Sequence, residues 1–567
     1  MKRSFLKATV LLMAATMTIT ACSTKEGGAT ASPTGVKADN GFSKGKFDPP
    51  ITMTTVGAIN STFKFKNGES LENNVHTKWV KDKLGIDIKY NWVTSDDQFA
   101  TKLRLDMAAN NKLPDVTYID GKNVQLISDL IDSGAMMDIK AAFDKYASPK
   151  VKEIYNQDPS NWSQVMKGGK NYGLPMLTRA QQNDPVLWIR TDWLQKINLP
   201  EPKNFDELEK VMDAMLKTDF GKGAIGAPLA ASIKDPLMPF AQWRGDLSWV
   251  FGGYGVMPHF WNKWKGDKLE YGSIQPETKQ ALARLADWFK KGYIAQDVGM
   301  IDVGKSEDPF RNEKAGITAG PVFAGGSIRG NLNKNNPAAV AKPIPIPAGP
   351  SGKAGRHGTT ATNGAFLINK DFKNVEAFFL YINKMYEIGD PAKGSEFENG
   401  GFEGYDYIMK DGKASFVEAD FPDKLKASSF KYYIGNQLFQ DPYLELKTQL
   451  KFYNGEQPTT PYEINTFAGV PEADRKSPKT VYEWNAAKVT LDQKSASIQN
   501  LFNGPQTETM KSKWESLVKM ESETFLKIVY GKEPIDAFDT FVKNWKSMGG
   551  DKITEEVNAW YKASTGK

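Results

Sequence analysis

Cysteine is nearly absent: Cys22 is the single one in 567 residues. One thiol forms no internal disulfide, so the fold must hold without covalent staples, which a chain of this length can do by burying apolar surface. Histidine is almost as scarce, and His76, His259 and His357 are too scattered for the helical spacing of a zinc protease. Past the first twenty or so residues, no run is apolar for long enough to cross a bilayer. Charge of one sign is also missing. The formal +6, from 73 basic and 67 acidic residues, falls to +3 without Lys2, Arg3 and Lys7, and so small an excess does not point to nucleic acid.

What is present begins at the amino terminus. Lys2, Arg3 and Lys7 precede an apolar run from Ala8 to Ile19 that is too short to span a membrane, and Ile19-Thr20-Ala21-Cys22 places small residues before a thiol. The arrangement resembles the lipobox of bacterial lipoproteins. It implies a signal peptide over 1–21, removal of that segment, and a diacylglycerol thioether with palmitate on Cys22 as the only membrane attachment. From Ser23 to about Gly45 the chain is Ser, Thr, Gly, Ala and Lys with little to bury, so 22–49 reads as a lipidated Cys and a flexible tether. The expected location is the extracellular face of the cell membrane.

After Pro50 the pattern alternates. Ile51–Val56 is a β-branched strand, Val75–Leu84 a helix closed by Gly85, Ile86–Val93 a strand, Asp97–Asn110 an amphipathic helix and Asp115–Asp120 a strand. That order predicts a parallel α/β sheet with ligand beyond the carboxyl ends of its strands, where Asp120 and Lys122 stand. A second α/β region follows. It has a strand at Val186–Ile189, a helix from Asn204 to Leu216 opened by the capping run Asn204-Phe205-Asp206-Glu207, a helix over Pro276–Gly292 and a strand at Ala315–Pro321. Ala341–Gly355, rich in Pro and Gly, reads as a crossing between lobes. Thr362–Lys370 reads as a strand and Phe372–Tyr386 as a helix, with further helices at Glu508–Tyr530 and Ile535–Lys546.

Catalytic signatures are few and fail on context. Gly299 to Ser306 has the letters of a phosphate-binding loop, but a helix precedes it and bulky residues fill it, so the match is one of chance. Gly325-Gly326-Ser327-Ile328-Arg329 lacks the last glycine of a nucleophile elbow. No spacing singles out a pair of carboxylates for glycoside hydrolysis. The remaining chemical signal is aromatic. The chain has fourteen Trp, 20 Tyr and 31 Phe, and eight of these aromatics fall between Pro236 and Gly266, where Trp243, Trp249 and Tyr254 stand among glycines. Flat rings accept the C–H face of a sugar, and the same rings could equally pack a core.

Six segments, Lys102–Val116, Gly173–Pro175, Arg190–Leu194, Pro202–Leu208, Lys291–Ile294 and Phe538–Trp545, follow in order behind Cys22. Together they resemble the family 1 extracellular solute-binding lipoproteins of ABC-type sugar importers, in their long Gram-positive form. The resemblance implies a two-lobed clamshell of the periplasmic-binding-protein kind (type II) with three crossings. It implies a monomer with no enzyme activity and no cofactor, which closes on an oligosaccharide and delivers it to permease subunits. Lobe 1 is expected at 50–174 plus about 346–390. Lobe 2 is expected at 175–345 plus about 391–567, with the C-terminal part packing on both.

Three departures leave the ligand open. Ile189 replaces an aromatic before the Arg190 motif, and Val322-Phe323 follow Gly320-Pro321 in place of Trp. Thr218–Ala224 has too few oxygen ligands for the calcium loop of some long forms, so no metal is expected there. The expected cleft residues are Asp120 and Lys122 from one lobe and Arg179, Arg190, Trp243, Arg244, Trp249 and Tyr254 from the other. Capture of a peptide or acidic sugar, and an exported polysaccharide-active enzyme, are the alternatives.

Overall fold

The structure, a computed structural model, describes residues 42–43, 45–59, 65–66, 68–109, 111–180, 184–221, 225–234, 240–241 and 243–565. The signal segment, Cys22 and most of the tether lie outside the described residues, as do positions 222–224 of the loop expected to hold no calcium. Among the described residues no helix is long and apolar enough to cross a membrane.

Nine strands build the framework: β1 (Ile51–Ile59), β2 (Ile86–Ser95), β3 (Val116–Ile119), β4 (Gly173–Leu177), β5 (Val186–Arg190), β6 (Leu229–Ala230), β7 (Ile317–Gly320), β8 (Ala341–Ile344) and β9 (Thr362–Ile368). β1 and β2 pair in parallel, with Ile51 opposite Ile86. β9 runs antiparallel between β3 and β4, with Phe366 opposite both Tyr118 and Leu174. The Asp115 carboxylate accepts from the Thr54 amide and hydroxyl at 2.9 and 2.7 Å and ties β1 to β3. Alternation along β9 sends Phe366 and Ile368 into one apolar cluster and Ala365 and Leu367 into another. A strand covered on both faces reads as an unbroken apolar run, as this one does.

The second sheet has the order β6-β7-β5-β8, with β5 antiparallel to both neighbours and β6 parallel to β7. All five residues of β5 are buried, Leu187 and Ile189 to one side and Val186 and Trp188 to the other. Helices α1 (Phe99–Ala108) and α2 (Val124–Asp132) cover one face of the first sheet. Helices α3 (Phe205–Lys217) and α4 (Pro276–Lys290) pack on the second. In α3 the Asn204 side chain accepts the Glu207 amide at 2.9 Å, and Phe205, Leu208, Val211, Met212 and Met215 form the buried stripe. Helix α4 opens on Pro276, whose missing N–H costs nothing in the first turn.

Further along are α5 (Ala324–Asn335), α6 (Val375–Gly389), α7 (Leu444–Tyr453), α8 (Tyr482–Asp492), α9 (Glu508–Val529) and α10 (Asp551–Thr565). Two expectations need correction. Ala341–Ile344 is not part of a crossing but the edge strand β8, and the crossing lies between it and β9. Phe397, Phe402, Tyr433, Ile434 and Phe439, expected in lobe 2, pack in the core of the first sheet. The third crossing therefore follows Phe439. There the Ala180 amide reaches the Pro442 carbonyl at 3.0 Å, and the Thr178 amide reaches Ala361 at 2.6 Å, so all three crossings run side by side.

Glycine does specific work at two places. A Cβ on Gly252 would lie 2.1 Å from the carbonyl carbon of Gly355, and one on Gly253 2.4 Å from the Phe205 ring. Gly252-Gly253 thus lets this segment pack against backbone and core. Gly85 has φ 67°, and a Cβ there would stand 2.0 Å from the Phe47 carbonyl oxygen.

Candidate functional site

The carboxyl ends of β1 and β3 open on a cavity of about 210 Å³, lined among others by Tyr118, Asp120, Lys122 and Asn436. Asp120 caps a short turn, its Oδ1 accepting the Lys122 amide at 2.9 Å. The Lys122 ammonium stands 3.5 Å from Asp96 and is exposed. Tyr118 donates to the Asn363 carbonyl at 2.8 Å, and the Asn436 amide to the Ala58 carbonyl at 3.0 Å, so β9 and the segment just before the third crossing are pinned to this wall.

The carboxyl end of β7 carries a different surface. Pro321 and Val322 are buried, and Phe323 stacks with Trp243, ring centres 6.1 Å apart and planes 30° off parallel. Trp243 is 45% exposed, which makes it an open platform, since a ring of this size is ordinarily well covered. The Arg244 guanidinium lies 4.6 Å from its centre. Behind it the fully buried Glu307 faces Arg244 at 3.7 Å and accepts from Arg311. Burial pushes the Glu307 carboxyl above its usual range, against the pull of both arginines. Its Oε1 and the Nε of each arginine are buried without a hydrogen-bond partner among the described residues.

The structure therefore brings Asp120 and Lys122 together, and Trp243 and Arg244 together. Arg179 sits exposed on the first crossing, its Nε 3.4 Å from Glu445 of α7. Three expected residues go elsewhere. Arg190 is 1% exposed, donating to Asp192 at 2.8 Å and Glu313 at 3.2 Å, so it is an internal ion pair and not a cleft cation. Trp249 is fully buried, its indole N–H held by the Asp246 carbonyl at 2.9 Å and its ring packed between Phe205 and Trp288. Tyr254 packs on the same core and accepts from Arg284 of α4 at 2.9 Å. Most of the aromatic segment is core. Phe323 and Glu307 were missed, although Phe323 follows a strand end as Asp120 does.

Residues 64–387 match the family model described as bacterial extracellular solute-binding protein. The chain belongs to this family. Among its relatives is the fructooligosaccharide ABC transporter substrate-binding protein FusA of Streptococcus pneumoniae, 24% identical over 68% of this chain and 69% of that one. Another is the polygalacturonan/rhamnogalacturonan-binding protein YtcQ of Bacillus subtilis, 22% identical over 86% of this chain and 87% of that one. In three dimensions it is similar to an HMO-binding, ABC-transporter-associated solute-binding protein of Bifidobacterium longum infantis. That match has TM-score 0.62 and 17% identity over 91% of this chain and 99% of the other. The fold is the two-lobed α/β clamshell of that group.

In this solute-binding protein the second crossing carries a largely covered histidine, His357. His357 Nδ1 lies 3.1 Å from Asp246 Oδ1 and 3.0 Å from the Ser248 hydroxyl. Both contacts fall on one ring nitrogen, so the trio is not the relay of a serine hydrolase, in which serine and aspartate flank the ring. Burial favours the neutral ring, but the charge and hydrogen bond of Asp246, helped by Asp184 and opposed by Arg356, prevail and raise the His357 pKa above 6.5. The stability this adds is complete below the ordinary imidazole value and is lost as pH rises through the folded one. Urea midpoints should accordingly fall by more in the parent than in His357→Gln as pH rises above the ordinary imidazole value. Parallel pH curves for the two would remove the charge from the argument.

Proposed function

We propose that this protein captures an oligosaccharide between its lobes and hands it to the permease of an ABC-type importer, held to the outer face of the membrane by lipid on Cys22. One observation carries the reading: at the carboxyl end of β7 an exposed Trp243–Phe323 platform is backed by Arg244. Such a surface stacks the C–H face of a pyranose while the guanidinium takes its hydroxyls. Asp120 and Lys122, at the ends of the other sheet, supply the opposite polar wall. Lobe 1 is taken as 50–177 with 362–439, lobe 2 as 186–344 with 444–565, and closure as a hinge motion in the three strips between them. The saccharides in the names of FusA and YtcQ favour a glycan cargo. Arg244 and Lys122 favour an acidic glycan as the second reading.

The test is a thermal-shift titration of the Cys22→Ser chain with neutral oligosaccharides, uronate oligosaccharides, monosaccharides and short peptides. A ligand bound only by the native state raises the midpoint. Trp243→Ala should weaken the responding glycan by about 1 to 3 kcal/mol, as expected for a lost anchor. Its own unfolding midpoint should stay near the parent's, because the ring is already half in water. Shifts with peptides alone, or affinity untouched by Trp243→Ala, would reject the platform as the binding surface. For the anchor, Cys22→Ser should release the protein from cells into the medium.

A further inference from the structure

A larger cavity, about 580 Å³, lies beside the second crossing and shares no lining residue with the one at the tips of β1 and β3. Its walls are the 3-10 turn Pro159–Val165, the crossing residues Thr359–Thr362, the stretch Ser497–Asn503 and the carboxyl end of α10. The volume falls within the range of small-molecule sites.

The lining is chemically selective. Most of its polar side chains are neutral amides and hydroxyls. One carboxylate, Asp158, and one ammonium, Lys494, offset each other, which argues against a phosphate or a cation as occupant. Three lining groups are buried with no hydrogen-bond partner among the described residues: the amide nitrogen of Asn161, the hydroxyl of Thr362 and the amide oxygen of Gln499. Asn161 is only 3% exposed. Buried polar atoms are nearly always paired, so a donor, an acceptor and a hydroxyl left open around one cavity call for a ligand that both donates and accepts.

The apolar part of the wall is fixed in place. Trp560 meets Phe502 edge to face at 5.0 Å and 84°, and Gly504 is so close that a Cβ there would lie 2.4 Å from the indole. Across the opening Ser163 and Asn503 are joined by hydrogen bonds of 2.7 and 2.9 Å. A rigid ring beside unpaired amides and hydroxyls suits a molecule with an apolar C–H face and a hydroxylated edge.

We propose that this larger cavity is a second saccharide site, sized for a mono- or disaccharide and sharing no residue with the Trp243–Phe323 platform. The test is fluorine NMR of the Cys22→Ser chain labelled with 5-fluorotryptophan. Trp560→Phe and Trp243→Phe assign the two signals, and glucose, maltose, sucrose and cellobiose are the probes. The Trp560 signal should move saturably with at least one probe, and keep doing so in Trp243→Ala. Asn161→Leu should weaken that response about tenfold, the scale of one hydrogen bond lost in a dry site. Should Asn161→Leu fold poorly, Thr360→Val, at an exposed wall position, should still reduce it. A Trp560 signal unmoved by all four sugars, or moved only while Trp243 is intact, overturns the proposal. A silent Trp243 signal bears on the cleft reading alone.

Discussion

Arg356→Met should lower the unfolding free energy by about 3 to 5 kcal/mol, the usual cost of removing one partner from a buried ion pair. Arg356 is fully buried between the first two crossings. Its guanidinium donates to the Pro185 and Thr490 carbonyls at 3.0 Å each and to the Ser497 hydroxyl at 3.2 Å. The Asp184 carboxylate, also fully buried, lies 4.0 Å away and accepts hydrogen bonds from the Thr359 amide at 2.7 Å and from the Ser497 hydroxyl. Burial pulls the Arg356 pKa down, while Asp184 and Asp246 hold it up, so the cation depends on those carboxylates. Methionine fills much of the volume but strands Asp184 in an apolar setting. The double variant Arg356→Met, Asp184→Asn should then recover more than about 1 kcal/mol of the single loss in urea unfolding, because neighbouring sites couple. Strict additivity would mean that packing, and not the stranded charge, sets the cost.

How far the sequence revealed this molecule depended on what kind of signal each part gives. Helix α3 was expected at Asn204–Leu216 and runs Phe205–Lys217, because a cap and a buried stripe are both local. β5 and β9 were legible as apolar runs. Asp120 came from the rule about strand ends, and the same rule applied to Gly320 would have found Phe323. The aromatic segment was misread because ring density does not say which side of a turn faces water. Trp243 and Trp249 differ by six positions, yet one is an open platform and the other is sealed against Trp288. Arg190 was expected in the cleft, but its partner Glu313 is far along the chain and no local pattern shows it. The third crossing was hidden for a similar reason: Phe397 to Phe439 return to the first core through contacts that no local pattern encodes.

Glu521→Ala should cost a similar amount, about 3 to 5 kcal/mol, whereas Glu521→Gln should stay within about 1 kcal/mol of the parent at neutral pH. Glu521 is fully buried in α9, where Tyr271 donates to its Oε2 at 2.8 Å and His259 Nδ1 lies 3.3 Å from Oε1. Tyr271 itself stacks on Trp545 at 5.0 Å and 11°, so its hydroxyl cannot swing away to water. Alanine removes the acceptor and opens a hole, whereas glutamine keeps an oxygen in reach of Tyr271. The charge contributes differently. Burial raises the Glu521 pKa above 4.5, and His259, Ser273 and Tyr271 only partly offset it. A carboxyl raised by folding gives its stability below the ordinary value and loses it as pH climbs through the folded one. The glutamine variant should thus match the parent in acid and gain on it as pH rises above the ordinary carboxyl value. Equal losses for alanine and glutamine would mean that the negative charge beside His259, and not the hydrogen bond to Tyr271, holds this part of the core together.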